Sequence, residues 1–338
     1  MSEKRNVYNG APPYSELVTE DGATWLAYRK TLVPDYARAW REAAFCYLML
    51  LGGFGLHVAA NYFWGNRVGL VTVPLAAAWV GFWMHALIQF AHEGAHGHLA
   101  RNRKLNDVLA DWLLWPLFAL PIRGYRRSHM QHHVHLGDHM DTELSYYECL
   151  SPWYFTRAIT GIHVAQLVLR RIVRPKGVAP EIELAIGQRS GLSKTEELVA
   201  LARSVLVHGS IMAIAAFNGL YGSAVAWLLG FLIMYPAFNS TRQTLEHRSF
   251  DSTCDVDFSK VEHGPVNRLF GDDPFSRYFG AAGVNRHLLH HWDPGISYTR
   301  LPDMEAFILR TPYANQIRQS RTTYRRAVAA MLRTAARS

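Results

Sequence analysis

Cysteine is scarce in this chain. Cys46, Cys149 and Cys254 are the three in 338 residues, and no two form a CxxC pair. That spacing excludes a disulfide framework and a zinc ribbon, and it predicts free thiols in a reducing compartment. No apolar run lies near the first residues, so no cleavable signal peptide is expected. Low-complexity sequence is missing, and nothing repeats apart from one histidine motif. Charged residues make up only 18% of the chain, whereas 49% is hydrophobic and aromatics are plentiful. Long apolar runs alternate with charged stretches, the pattern of a membrane protein with a substantial aqueous part.

The net charge of +8 does not indicate a nucleic-acid binder. Residues 310–338 hold seven arginines and no acid, which accounts for most of the excess. Ile317, Tyr324, Val328, Met331 and Ala335 form an apolar stripe through this tail at helical spacing. The expectation is a basic amphipathic helix on an anionic membrane surface, with docking of an acidic redox partner as the alternative.

Four stretches are long enough to span a bilayer: about 42–64, 68–91, 201–217 and 223–239. Gly65-Asn66-Arg67 and residues 218–222 are the turns of the two pairs. The expected organisation is an N-terminal segment, 1–41, a membrane domain, 42–309, and the basic tail, 310–338. Residues 112–122 are apolar but too short to cross, and they contain Pro116 and Pro121, so a re-entrant or interfacial segment is expected. Residues 153–173, apolar but carrying Arg157, Arg170 and Arg171, suit an interfacial helix, and 174–197 a surface connection. The two turns carry one basic residue, Arg67, and the apolar cores of the spans carry none. By the positive-inside rule the rest of the chain then faces the cytosol.

Seventeen histidines stand out against this background. His92 and His96 are four apart at the inner end of the second span. His129, His132 and His133 follow the re-entrant segment, and His287, His290 and His291 repeat that HxxHH spacing after the fourth span. On a helix, positions i, i+3 and i+4 share a face, so each cluster aims its imidazoles at one point. Neutral imidazole is a good ligand for iron, zinc and copper. Eight such ligands exceed the needs of one tetrahedral ion, so a two-metal centre is expected. His247, just past the fourth span, is a ninth candidate ligand. Gln243, one turn before it, is placed to hold a metal-bound water, and Glu246 and Asn285 to bond the imidazoles. No catalytic residue beyond the metal ligands is assigned. His98, His135 and His139 read as surface polar residues. His85 reads as a channel-lining or buried hydrogen-bonded residue, and His57, His163 and His208 as structural.

Alone, His92-Glu93-Gly94-Ala95-His96 also fits the HExxH signature of zinc peptidases, with Glu93 as general base. That reading leaves both HxxHH clusters unexplained, as does a non-catalytic structural zinc site.

The three histidine boxes in this order resemble the membrane fatty acid desaturase superfamily. So do Arg101 to Asp107, Arg242 to His247, and Asn285 to His291 followed by Leu301-Pro302. The resemblance covers roughly residues 45–305. It implies an all-α integral membrane protein with four transmembrane helices, re-entrant or interfacial helices, and a cytosolic helical cap holding the metal site. It implies two iron ions on the box histidines and His247, O2 as oxidant, and a fatty acid or acyl lipid as substrate. No fused electron-carrier domain is visible, so a separate ferredoxin, rubredoxin or cytochrome-type protein is expected to supply electrons, with membrane lipids as the other neighbours. The superfamily also includes hydroxylases and alkene-forming decarboxylases, which the boxes alone do not separate. Breaking an alkyl C–H bond needs an oxidant that side chains cannot provide, and zinc does not cycle redox states.

Overall fold

The computed structural model describes residues 10–138, 141–143, 149–162, 165–166, 192–250, 253–255 and 264–336. Among these the secondary structure is helical, with only isolated bridges at Val18–Thr24 and Leu269–Arg321. The short α1 (Trp25–Arg29) precedes α2 (Tyr36–Val71), whose N-terminus is capped by the Asp35 carboxylate accepting from Arg38 N. α3 (Val73–His96) ends at Gly97 (φ 90°), a left-handed cap that glycine adopts without penalty. α4 (Arg103–Leu113) and α5 (Ile122–His135) follow, then α6 (Pro152–Ile159). α7 (Lys194–Phe217) starts at a capping box formed by Ser193 and Glu196, and α8 runs Tyr221–His247. The last helices are short: α9 (Pro274–Phe279), α10 (His287–Trp292), α11 (Leu301–Ile308), α12 (Ala314–Gln319) and α13 (Tyr324–Ala335).

Helices α2, α3, α7 and α8 are long and apolar enough to cross a membrane. Their bounds refine the expected spans. Helical backbone breaks at Gly65 (φ 82°, ψ 171°) but resumes to Val71, so the second span begins at Val73 rather than near residue 68. α7 extends back to Lys194 and so includes Arg203. That guanidinium donates to Asp111 O at 3.1 Å and lies 4.1 Å from the Trp112 ring centre, keeping its charge at the helix end. α8 runs through a π-turn at Gly230–Met234 just before Pro236, where proline's missing N–H and ring would otherwise break the ladder.

The expected re-entrant segment is present as a bend of 89° between α4 with its following turn and α5. Of the expected interfacial stretch, Pro152–Ile159 is helical. Residues 163–164 and 167–191, which hold His163 and most of the expected surface connection, lie outside the described residues.

α3 is the most buried span and the axis of the bundle. Gly81 lets α8 approach closely: a Cβ there would lie 2.4 Å from Met234 Cβ and 2.7 Å from Tyr235 N. Backbone cannot swing aside as a side chain can, so Gly81→Ala is expected to cost about 1–3 kcal/mol by overpacking. A thermal melt in detergent would register it as a lowered Tm. An unchanged Tm would mean the two helices are not held at this distance.

Two expectations fail here. The apolar stripe of the tail faces the protein, not a bilayer. Ile317 lies in the main core, while Tyr324, Ala327 and Met331 pack with Leu150, Tyr154, Leu245, Phe270 and Phe279. Tyr324 stacks on Phe270 with ring centres 3.8 Å apart. Apolar partners gathered from distant segments bury that stripe, which sequence periodicity cannot reveal. The arginines Arg325, Arg326 and Arg333 remain on the exposed side. Second, Cys149 and Cys254 are not free thiols. They form a disulfide with Cα atoms 5.2 Å apart, across 105 residues of sequence, because the segments after α5 and α8 meet over the bundle end. The expectation of a reducing compartment loses its basis with them. Cys46 alone is free, and it is buried.

Candidate metal centre

The C-terminal ends of α3, α5 and α8 converge with α10, bringing the three histidine clusters together with His247. The first cluster is fixed from behind. Arg126 on α5 donates to Ala95 O (2.7 Å) and Gly94 O (3.2 Å) and pairs with Asp107, while Asn106 Nδ2 donates to Gly94 O (2.9 Å). The segment 101–107 therefore satisfies carbonyls at the open C-terminal end of α3 and ties it to the second cluster. At the other side, the buried Arg268 donates to Leu245 O (2.8 Å), Glu246 O (3.2 Å) and Arg248 O (2.6 Å), closing the end of α8. Leu288 N donates to Arg268 O (3.1 Å), so the same residue docks α10 beside His247.

Nine imidazoles meet in two groups. His92, His96, His129, His133 and His290 form one, and His132, His247, His287 and His291 the other, with ligand atoms in each group all within 4.8 Å of one another. All are buried except His96, which is half-buried. Nε2 atoms face Nε2 atoms: His96–His129 3.0 Å, His129–His133 2.9 Å and His133–His290 3.1 Å in the first group. In the second, His247–His287 is 2.8 Å and His287–His291 3.0 Å. Ligands roughly 2.1 Å from one ion and at right angles to each other lie roughly 3 Å apart. The spacing therefore fits imidazoles already arranged about an ion, with neighbours at right angles.

Three of the outer ring nitrogens are held from behind. His132 Nδ1 donates to Asp141 Oδ1 (2.8 Å), His129 Nδ1 to Glu143 Oε1 (3.3 Å) and His247 Nδ1 to Val266 O (3.1 Å). These bonds leave Nε2 as the inward lone pair, the tautomer a metal needs. Burial, then the neighbouring imidazoles, push His287, His290 and His291 well below the usual histidine pKa, so they stand neutral. Burial also opposes charge on His132, but Asp141 and Glu143 outweigh it and raise the group to about 9. Burial would likewise raise the Glu143 carboxyl, yet His132 and His129 draw it below the usual carboxylate range. These two acids thus call for a cation at His132, which a bound metal would supply. Donor type, spacing and orientation all fit a metal pair.

A family profile for fatty acid desaturases matches residues 68–323, three quarters of the chain. The chain belongs to the fatty acid desaturase family. A chloroplastic omega-3 fatty acid desaturase from Glycine max is 33% identical over 108 residues, which is 32% of this chain and 22% of that protein. The match thus spans under a quarter of the length of that relative.

Within this desaturase fold the supporting residues divide. Gln243 Nε2 donates to Glu143 Oε2 at 2.5 Å and lies beside the second group. Glu246 pairs with Arg242, and its Oε2 is 3.7 Å from His287 Nε2. Asn285 does not reach an imidazole through its amide. Its Nδ2 donates to Gly271 O and to Asp272, both at 3.1 Å, bracing the loop that leads into α10. His98, expected at the surface, is buried with Nδ1 3.0 Å from Glu93 Oε2. The turn after Gly97 folds it back under α3. His135, half-buried, pairs with Asp138 at 3.2 Å, and His139 lies outside the described residues. His85 bonds Phe279 O (2.9 Å), His57 bonds Thr72 and His208 bonds Leu117 O, all structural contacts. Asp141 and Glu143 escaped the sequence reading because they sit 9 and 11 residues past His132 in a loop, where no helical spacing marks them.

Proposed function

We propose that this protein is an O2-dependent di-iron oxidase that introduces a double bond into a fatty acyl chain. The observation carrying this reading is the convergence of nine imidazoles, eight of them buried, split five and four, at one end of four membrane-length helices. His92, His96, His129, His133 and His290 would hold one iron, and His132, His247, His287 and His291 the other. Bound there, the irons would supply the oxidising chemistry and O2 reduction that no side chain offers. Desaturation removes two hydrogens from the chain, and O2 leaves as two waters after taking two further electrons and two protons. Those electrons come from a separate carrier of the ferredoxin, rubredoxin or cytochrome type, for which the exposed Arg325, Arg326 and Arg333 offer a cationic face.

The chain's own residues bind, orient and exclude water. The carboxylates of Asp141 and Glu143 keep His132 and His129 in their ligating tautomers. Gln89, Tyr125, Arg242 and Val284, with Glu143, line the small cavity beside His92, His129, His132 and His287. The scarcity of basic residues in the two turns supports a cytosolic face for this end of the bundle.

Zinc hydrolysis through His92-Glu93-Gly94-Ala95-His96 fits poorly. Glu93 Oε2 already accepts from His98 and from Tyr298 N at 3.2 Å. Hydroxylation or alkene-forming decarboxylation on the same site is the nearer competitor. Lipid and hydrocarbon profiles by gas chromatography–mass spectrometry, from cells expressing wild type or His132→Ala, test the reading. A new double bond present only with wild type is expected. A new hydroxyl or terminal alkene instead would replace desaturation with that reaction.

A further inference from the structure

The two histidine groups are unequal: five imidazoles face one metal position and four the other. Two divalent ions on nine neutral imidazoles would bring buried positive charge, which favours carboxylates close to the metals. Three buried carboxylates near the site each have an oxygen already engaged. Glu93 accepts from His98 and Tyr298 N, Asp141 from His132 Nδ1, and Glu246 is paired with Arg242.

Glu246 Oε2 also comes within 3.7 Å of His287 Nε2, but Arg242 holds that same oxygen, whereas Glu143 is paired with no arginine among the described residues. It lies in the cavity between the two groups, beside His92 and His129 of one and His132 and His287 of the other. Its Oε1 reaches His129 Nδ1 at 3.3 Å, behind the ring. Its Oε2 lies 3.8 Å from His132 Nε2, in front of the ring, and that nitrogen is buried with no hydrogen-bond partner. Gln243 Nε2, one turn from His247, holds the same Oε2 at 2.5 Å. The carboxylate is therefore fixed at both ends, with one oxygen aimed at the four-histidine group.

We propose that Glu143 is a direct carboxylate ligand of the metal in the four-histidine group, with Gln243 positioning it. Resting on the di-iron reading above, this makes the two irons chemically distinct. One has five imidazoles, and the other has four imidazoles and an oxygen anion that also neutralises charge. A harder oxygen donor on one ion changes its spectrum independently of any turnover.

The test is Mössbauer spectroscopy with iron counting on full-length protein loaded anaerobically with ⁵⁷Fe(II). Wild type is expected to hold two irons in two components of equal area. His247→Ala and His96→Ala identify the components of the four- and five-histidine groups. In Glu143→Gln, the altered or missing component is expected to be the one that His247→Ala removes. In Glu143→Ala, added formate is expected to restore it, which also shows that the variant is folded. A Glu143→Gln spectrum like wild type, or one that loses the His96→Ala component, would overturn the ligand assignment. A wild-type protein without an iron pair would overturn the di-iron reading itself and the assignment with it.

Discussion

Alanine at His290 is expected to lower O2-dependent product formation at least about 100-fold and to remove iron from the site, since even residues behind the ligands commonly cost 10–100-fold. His290 has the contacts of a ligand central to its group. Its Nε2 is 3.1 Å from His133 Nε2, and its ring centre is 4.6 Å from those of both His92 and His96. It is buried, so the cavity left behind offers no substitute donor. Iron per chain, read by elemental analysis, and product, read by mass spectrometry, are expected to fall together. Turnover at wild-type rate with alanine at this position would remove His290 from the metal set and would break the five-and-four division.

The second large effect lies away from the metals. Asp293 follows α10 directly and is fully buried. Arg29 on α1 donates to it from Nε (2.5 Å) and Nη2 (2.9 Å), Trp25 Nε1 donates at 3.3 Å and Gly295 N at 3.2 Å. The N-terminal segment thus clamps the end of the third histidine box. Arg29→Met would leave a carboxylate in the interior with its cation gone, at a cost of about 3 kcal/mol, the lower end of the range for buried pairs because Arg29 is 31% exposed. Thermal unfolding of purified protein in detergent is the measurement, and a Tm lowered by several degrees is the expected outcome. Arg29→Met combined with Asp293→Asn should recover part of the loss, since the second change removes the orphaned charge. If the double variant is no more stable than the single one, the clamp is not electrostatic.

Much of this protein follows from local patterns. The spans are visible because hydrocarbon demands a run of apolar residues, and the clusters at His92, His129 and His287 because helix geometry puts i, i+3 and i+4 on one face. His247 could be placed because α8 continues past its apolar stretch in helical register. Each of these is a relation between residues close in sequence.

What only the tertiary structure decided involves residues far apart, or in loops without a period. The division of nine histidines into five and four mixes the second box between groups: His129 and His133 join one, His132 the other. Rotation about a single helix produces that split, and the spacing is silent on it. Asp141 and Glu143 reach the site from a loop. Arg268 joins α8 to α10 through backbone carbonyls that carry no sequence signature. The Cys149–Cys254 bridge and the buried face of α13 went against expectation for the same reason. Composition marks what a segment can do, but which partner it meets depends on how the chain brings distant surfaces together.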